Sequence, residues 1–422
     1  MVTFTELRDL DVASWTASAN EWHHNAGQLL DAARDLHDNV LKPMEDGGWT
    51  GPAGDQAQQR VRGFVDRLKV DSLESDAVSL VVHGLAHSFQ IAQTSLRSAL
   101  KRAQDGTFKV DDTGTVHLPS SPMVRHDPDY GEWCRTERGK LEYLIEQAIG
   151  AATRADHTGH DALDRLSRKT NETDVTKAEN EDLGDASKTE VDLLAGTIPS
   201  GTPQQIADWW ASLSDDDRKT LMLAVPWALE HLDGIPDDVK QQLKGSDEYD
   251  RTGIAKWAMD HWNDNSDDPF QDNCTNFASN ALAGGGVEQH ADFWLGNFSD
   301  NSWSKGAQTG WGFFDEHDYS HSASWAQAQT SYDFWTKHGQ EVNPSDVRPG
   351  DIVYWEQDDA GYDISPGTVH HAAIVTSVID GDVRYTQHSG NQLQASLDGR
   401  MPVNEMSGGH QKIHIVRPDP DW

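Results

Sequence analysis

From Trp15 onward the apolar residues step by four and three, through Ala19, Trp22, Ala26, Leu29, Ala33, Leu36 and Val40. That spacing predicts one face of a long helix made to pack against other helices. The pattern stops at Gly47-Gly48-Trp49-Thr50-Gly51-Pro52, where glycines end one helix and proline suits the first turn of the next. A second seam runs through Ala57, Val61, Phe64 and Leu68. After polar Asp71 and Ser75 it resumes at Val78, Val82, Leu85, Phe89, Ala92, Leu96, Ala99 and Ala103. Unbroken, it predicts a helix about 70 Å long at roughly 1.5 Å per residue.

Alternation then replaces the heptad. Phe108-Lys109-Val110 and Thr115-Val116-His117-Leu118 flank the turn residues Asp111-Asp112-Thr113-Gly114, which predicts a small β-hairpin. A third seam, Leu141, Leu144, Ala148, Ala151, Ala155, Thr158 and Ala162, adds another helix, so residues 1–167 are expected to form a helical bundle. Residues 168–199 open on a run, 168–190, rich in Lys, Asn, Glu, Asp and Thr, which predicts a polar linker or an exposed helix. Within 200–248, Thr202-Pro203-Gln204-Gln205 reads as a capped helix start. Ile206, Trp209, Trp210 and Leu213 follow as the core face of a small helical adaptor.

The chemistry concentrates in residues 249–422. Asn273-Cys274-Thr275-Asn276-Phe277-Ala278-Ser279 predicts a helix that opens at the cysteine and ends at Gly284-Gly285-Gly286. A thiol at a helix N-terminus sits at the positive end of the dipole, which favours the thiolate, the form that attacks carbonyls. The Cys274 N–H is then available to a developing oxyanion. The plainer reading of such a thiol is a small buried hydrophobe. Asn273 and Gln271, just before the cysteine, are further candidates around the oxyanion, with Gln271 equally readable as a polar loop residue.

Three strands follow. Pro349-Gly350-Asp351 turns into Ile352-Val353-Tyr354-Trp355, and His370-His371 opens the strand Ala372-Ala373-Ile374-Val375-Thr376. Asp380-Gly381 makes a two-residue turn into Val383-Arg384-Tyr385-Thr386-Gln387-His388. Pairing Ile379 with Asp382 across that turn sets His388 opposite Ala373 and makes it the diagonal neighbour of His371. His370 falls on the other face. His371 is therefore the expected base and His388 the group that orients its ring, a Cys-His-His arrangement. A three-residue loop at the turn would break the parity and hand the orienting role to Gln387 or Asn391.

Composition narrows the function classes. The 34 basic and 70 acidic residues give a net charge of −36, which excludes a phosphate-tracking surface and hence nucleic acid as an expected partner. With two cysteines, Cys134 and Cys274, there is no disulfide framework and no cysteine-based metal site. The histidines form no compact ligand set, so neither metal nor other cofactor is expected. The first residues lack a basic region followed by an apolar run, and no stretch approaches a membrane span, so a classical signal peptide and a transmembrane helix are both unexpected. The aromatic series Phe293, Trp294, Trp303, Trp311, Phe313, Phe314, Trp325 and Trp335 fits either a stacking groove or a core.

Two resemblances extend these readings. Two long helices joined at Trp49-Thr50-Gly51 resemble the WXG-type ESX proteins and the N-terminal modules of type VII secretion substrates, over roughly residues 1–105. The Tyr-x-x-x-Asp/Glu signal that such substrates place just after the second helix is not matched there, since Tyr130 and Tyr143 are followed at the fourth place by Cys134 and Gln147. The segment around Trp209 is similar to a helical element that actinobacterial ESX-associated proteins place before a catalytic domain. In residues 250–422, Asn-Cys-Thr-Asn-Phe-Ala-Ser, Pro-Gly-Asp-Ile-Val-Tyr-Trp, His-Ala-Ala-Ile-Val-Thr and Gln-His-Ser-Gly-Asn resemble the putative amidase domain family. That family is related to the NlpC and CHAP peptidases of the papain-like superfamily. One departure is Asn273, where many relatives carry Asp.

The resemblance implies a multidomain protein with an N-terminal all-α bundle and a C-terminal α+β papain-like domain with an antiparallel sheet. It implies Cys274 as nucleophile, His371 as base, His388 as third residue and a cell-wall peptide amide as substrate, in peptidoglycan. It also implies ESX-type machinery or a helical partner, and a secreted or wall-associated location. A wall-peptide binder without activity, and an enzyme acting on a protein in the cytoplasm, are the alternatives.

Overall fold

The computed structural model describes residues 1–168, 173–245, 248–266, 270, 272–292, 299, 301–306, 321–359, 364–397, 410–420 and 422. They divide into two compact units, residues 1–221 with 232–236, and residues 222–231 with 237–422. No described helix is long and apolar enough to cross a membrane.

The first unit is helical. Helix Val12–Leu36 runs on through a π-helical turn at His37–Leu41, and the chain reverses into a helix of 54 residues, Pro52–Asp105. Pro52 occupies its first position, where no N–H is needed, and Gly51 takes φ 104°, open to glycine at little cost. The predicted seams are buried unevenly. In the first helix the small Ala19, Ala26 and Ala33 face inward while Trp22 is 42% exposed, and on the long helix Phe64 is 65% exposed. Val82, Leu85, Phe89, Ala92, Leu96, Ala99 and Ala103 are all buried. The difference arises because helices Pro128–Arg168 and Gly184–Ala195 also pack on the long helix. Gly84 permits that approach: a Cβ there would lie 2.9 Å from Leu193 and 3.0 Å from Glu190.

The short hairpin appears as β1 (Lys109–Val110) and β2 (Val116–His117), antiparallel. The capping box at Thr202 and Gln205 forms, and Trp209 and Trp210 are buried. Two expectations change. Of the two readings of residues 168–199, linker or exposed helix, 175–195 is helical, but the helix is not exposed, since it buries Ala186, Val191, Leu193 and Leu194. Its charges are absorbed by distant partners, as when buried Glu190 pairs with His83 at 2.9 Å. Residues 200–248 do not stand as a separate adaptor either, because 222–231 and 237–245 join the second unit.

The second unit is built on a six-stranded antiparallel sheet in the order β3 (Gly339–Glu341), β8 (Gln411–Pro418), β4 (Ile352–Gln357), β5 (Val369–Ile379), β6 (Asp382–Gln387), β7 (Gln392–Ser396). One face packs Ile352, Tyr354, Ala372, Ile374 and Val416 against helices Arg251–Asp260, Cys274–Gly284 and Ala328–Lys337. The other carries Val353, Trp355, Ala373, Val375, Tyr385 and Ile415. Burial on both faces explains why β4 and β5 read as nearly continuous apolar runs. Trp303, Trp325 and Trp335 belong to the core, the Trp303 ring tilted against Trp325 at 4.6 Å and edge-on to Trp335 at 5.1 Å, while Phe293, Trp294, Trp311, Phe313 and Phe314 lie outside the described residues.

Asp351 fixes the start of β4. Its carboxylate, fully buried, accepts from Arg417 Nε and Nη2 at 2.8 Å each on the neighbouring β8. Burial pushes the carboxyl up and the Arg417 bonds pull it back, so the intact pair contributes little net while a broken one is expensive. Asp351→Ala is expected to cost about 3 kcal/mol by stranding Arg417, read as a lower urea midpoint at unchanged slope.

Candidate active site

Helix Cys274–Gly284 begins at the cysteine, with Asn273 as its N-cap residue and the Asn273 carbonyl accepting from Phe277 N–H at 2.9 Å. The polar residues of this segment are spent on holding it. Asn276 Nδ2 donates to Asn273 Oδ1 at 3.0 Å, and Asn276 Oδ1 accepts from Trp325 Nε1 at 2.9 Å. Ser279 Oγ donates to the Trp325 carbonyl at 2.9 Å and accepts from Trp303 Nε1 at 3.1 Å. Buried polar groups bonded on every side specify one position for the helix, and therefore for the thiol at its head.

Burial pushes the Cys274 thiol up. The charge on His371 and hydrogen bonds from His371, Thr275 and the Ala372 backbone outweigh it and bring the thiol down to about 7. A thiol brought down to about 7 carries a share of thiolate at neutral pH. The amides of the first helical turn lack intrahelical acceptors and are the oxyanion donors the geometry offers.

His371 lies on β5 opposite Trp355 of β4, whose ring meets it edge-on at 5.0 Å. Its Nε2 pairs with Gln387 Oε1 at 2.6 Å, and Gln387 Nε2 donates to the Gly390 carbonyl at 3.4 Å. Because the amide oxygen only accepts, His371 Nε2 carries a proton, which leaves Nδ1 to exchange a proton with the thiol. Gln387→Ala is expected to lower kcat by up to about 10²-fold through misorientation of the ring. Gln387→Glu, placing a carboxylate beside the imidazolium, is expected to raise the alkaline limb of the pH–rate profile by about one unit.

The placing of His388 is a correction. The turn pairs Ile379 with Asp382 as expected, but β5 carries one extra residue, Thr376, between the pairs Ser377↔Arg384 and Val375↔Tyr385. Continuing that register puts Gln387, and not His388, opposite Ala373 and diagonal to His371. The bulge is held by hydroxyls: Thr376 Oγ1 lies 3.0 Å from Thr386 Oγ1, and Ser377 Oγ donates to Gln394 Oε1 at 2.5 Å. His388 instead stacks on Phe277 at 4.1 Å with Nε2 at 2.9 Å from the His261 carbonyl.

Of the other expected site residues, Asn273 is buried and its N–H donates to Ser389 Oγ at 2.6 Å. Asn391 Nδ2 bonds Asn265 Oδ1 at 2.8 Å, and Gln271 lies outside the described residues. His370 turns away from His371 and bonds Gln411 Oε1 at 2.7 Å. Trp355 and Ser389 were not legible as site residues, although a Ser-Gly pair directly after the strand that carries the orienter marks a turn facing the site. Glu230, His231 and Asp250 bring ligand atoms within 4.8 Å of one another, but Asp250 caps helix Arg251–Asp260 and Glu230 accepts from Thr252, so both carboxylates are engaged.

Residues 248–414 match the family model described as "Putative amidase domain", which is what this part of the chain is similar to and which points to amide hydrolysis. No curated protein and no solved structure matches the chain.

Proposed function

We propose that the C-terminal unit hydrolyses amides with Cys274 as nucleophile, His371 as acid and base and Gln387 as orienter. The observation that carries this reading is the thiol brought down to about 7 at a helix N-terminus in hydrogen bond with an imidazole. The thiolate attacks the amide carbon, and the negative oxygen is stabilised by first-turn amides including Cys274 N–H. The imidazolium protonates the departing amine, leaving a thioester. The neutral imidazole then takes a proton from water, which attacks the thioester and releases the acid and the thiol. A helix headed by the nucleophile, packed on an antiparallel sheet whose interior strand β5 carries the base, supports a papain-like reading of the fold.

We assign the amide to a cell-wall peptide on the resemblance of the Cys274 and His371 segments to the NlpC and CHAP peptidases, while the family match over residues 248–414 supports amide hydrolysis alone. The helical hairpin, with Trp49 52% exposed at its turn, supports delivery of the enzyme outside the cell by ESX-type machinery. Incubating the full chain with purified peptidoglycan and reading new amine ends by mass spectrometry tests the substrate. New amines absent with Cys274→Ala support it, and their absence with the wild-type chain ends the wall reading. Loss of the protein from culture medium when type VII secretion is disabled tests the delivery.

A further inference from the structure

We propose that Ser389 is a positioning residue, whose hydroxyl on the Asn273 amide fixes the entry of the nucleophile helix and so the aim of its first-turn N–H groups at Cys274. The inference rests on Cys274 being the nucleophile. Three observations lead to it. First, Asn273 N–H donates to Ser389 Oγ at 2.6 Å across 116 residues of sequence, tying the turn after β6 to the residue just before the thiol. Second, Ser389 takes φ 67°, a left-handed value that a serine keeps only where its surroundings fix it. Gly390 follows at φ 99°, a conformation glycine adopts at little cost.

Third, the same turn serves the base. Gln387, at the end of β6, bonds His371 Nε2, and the Gly390 carbonyl holds the Gln387 amide. His388 anchors the turn to the His261 carbonyl at the end of helix Arg251–Asp260. One stretch of four residues therefore grips the nucleophile from one side and the base from the other, and the Ser389 hydroxyl is its link to the nucleophile. Releasing that link lets the helix head shift against the imidazole. The thiolate then loses part of its stabilisation, and the oxyanion donors lose their aim.

The test uses the full chain with Ser389→Gly and Ser389→Asn. Glycine keeps the left-handed backbone without strain and removes the hydroxymethyl group, while asparagine tolerates that backbone and returns an oxygen acceptor. Alkylation by iodoacetamide is followed at the Cys274 peptide by mass spectrometry across a pH series, beside the kinetics of amide hydrolysis. Ser389→Gly is expected to alkylate about threefold more slowly near pH 7, with its midpoint moved upward, the size of a first-turn dipole effect. Its kcat is expected to fall about tenfold at unchanged KM, with Ser389→Asn recovering most of both. A wild-type alkylation profile in Ser389→Gly overturns the proposal. Should the wild-type chain hydrolyse no amide, the proposed activity fails, and the alkylation profile still decides the role of Ser389.

Discussion

Cys274→Ala is expected to lower amide hydrolysis on the order of 10⁵-fold, because it removes the sulfur on which the thioester forms. The side chain is buried at 7% exposure and the substitution removes a single sulfur, so stability should change by no more than about 1 kcal/mol. The two outcomes separate chemistry from architecture: turnover vanishes while the thermal midpoint barely moves. Cys274→Ser is expected to be equally inactive, since a hydroxyl remains protonated where the thiol ionises at about 7. Turnover within tenfold of wild type in either variant would remove Cys274 from the mechanism, as measured with a soluble peptide amide and confirmed protein concentration.

His371→Ala carries the second large effect, in two readouts that must move together. The charge and hydrogen bond of His371 lead the forces that lower the Cys274 thiol, and without them burial acts with less opposition. The sign follows: alkylation of the wild-type thiol rises as pH climbs through about 7, whereas in the variant it rises only in the ordinary thiol range or above. Near neutral pH the variant should alkylate more than about tenfold more slowly, and turnover should fall by about 10³- to 10⁴-fold for want of a proton donor to the leaving amine. An unchanged alkylation profile would show that the thiol is tuned by the helix alone.

Much of this was written in local pattern. The helical hairpin follows from heptads broken by Gly47-Gly48 and Gly51-Pro52, and the antiparallel hairpin from Asp380-Gly381. What pattern could not supply was which part of a seam would be covered. Phe64 and Leu96 both lie on the seam of the long helix, yet only the latter is buried. Polarity misled at 175–195 because Glu190 is paid for by His83, 107 residues earlier. In the site, Cys274 and His371 stood out through their immediate neighbours. The orienter did not, because parity along β5 depends on Thr376, whose hydroxyl partner lies across the strands and not along them.

The bonds that hold helix Cys274–Gly284 have a further consequence. Asn273, Asn276 and Ser279, with Trp303 and Trp325, form a lattice in which the sulfur of Cys274 takes no part. Ancestry and reactivity are thus recorded in different atoms of the same short segment. A variant that lost the thiol would keep that lattice, and with it the fold of the segment, while differing from the parent chain at a single position.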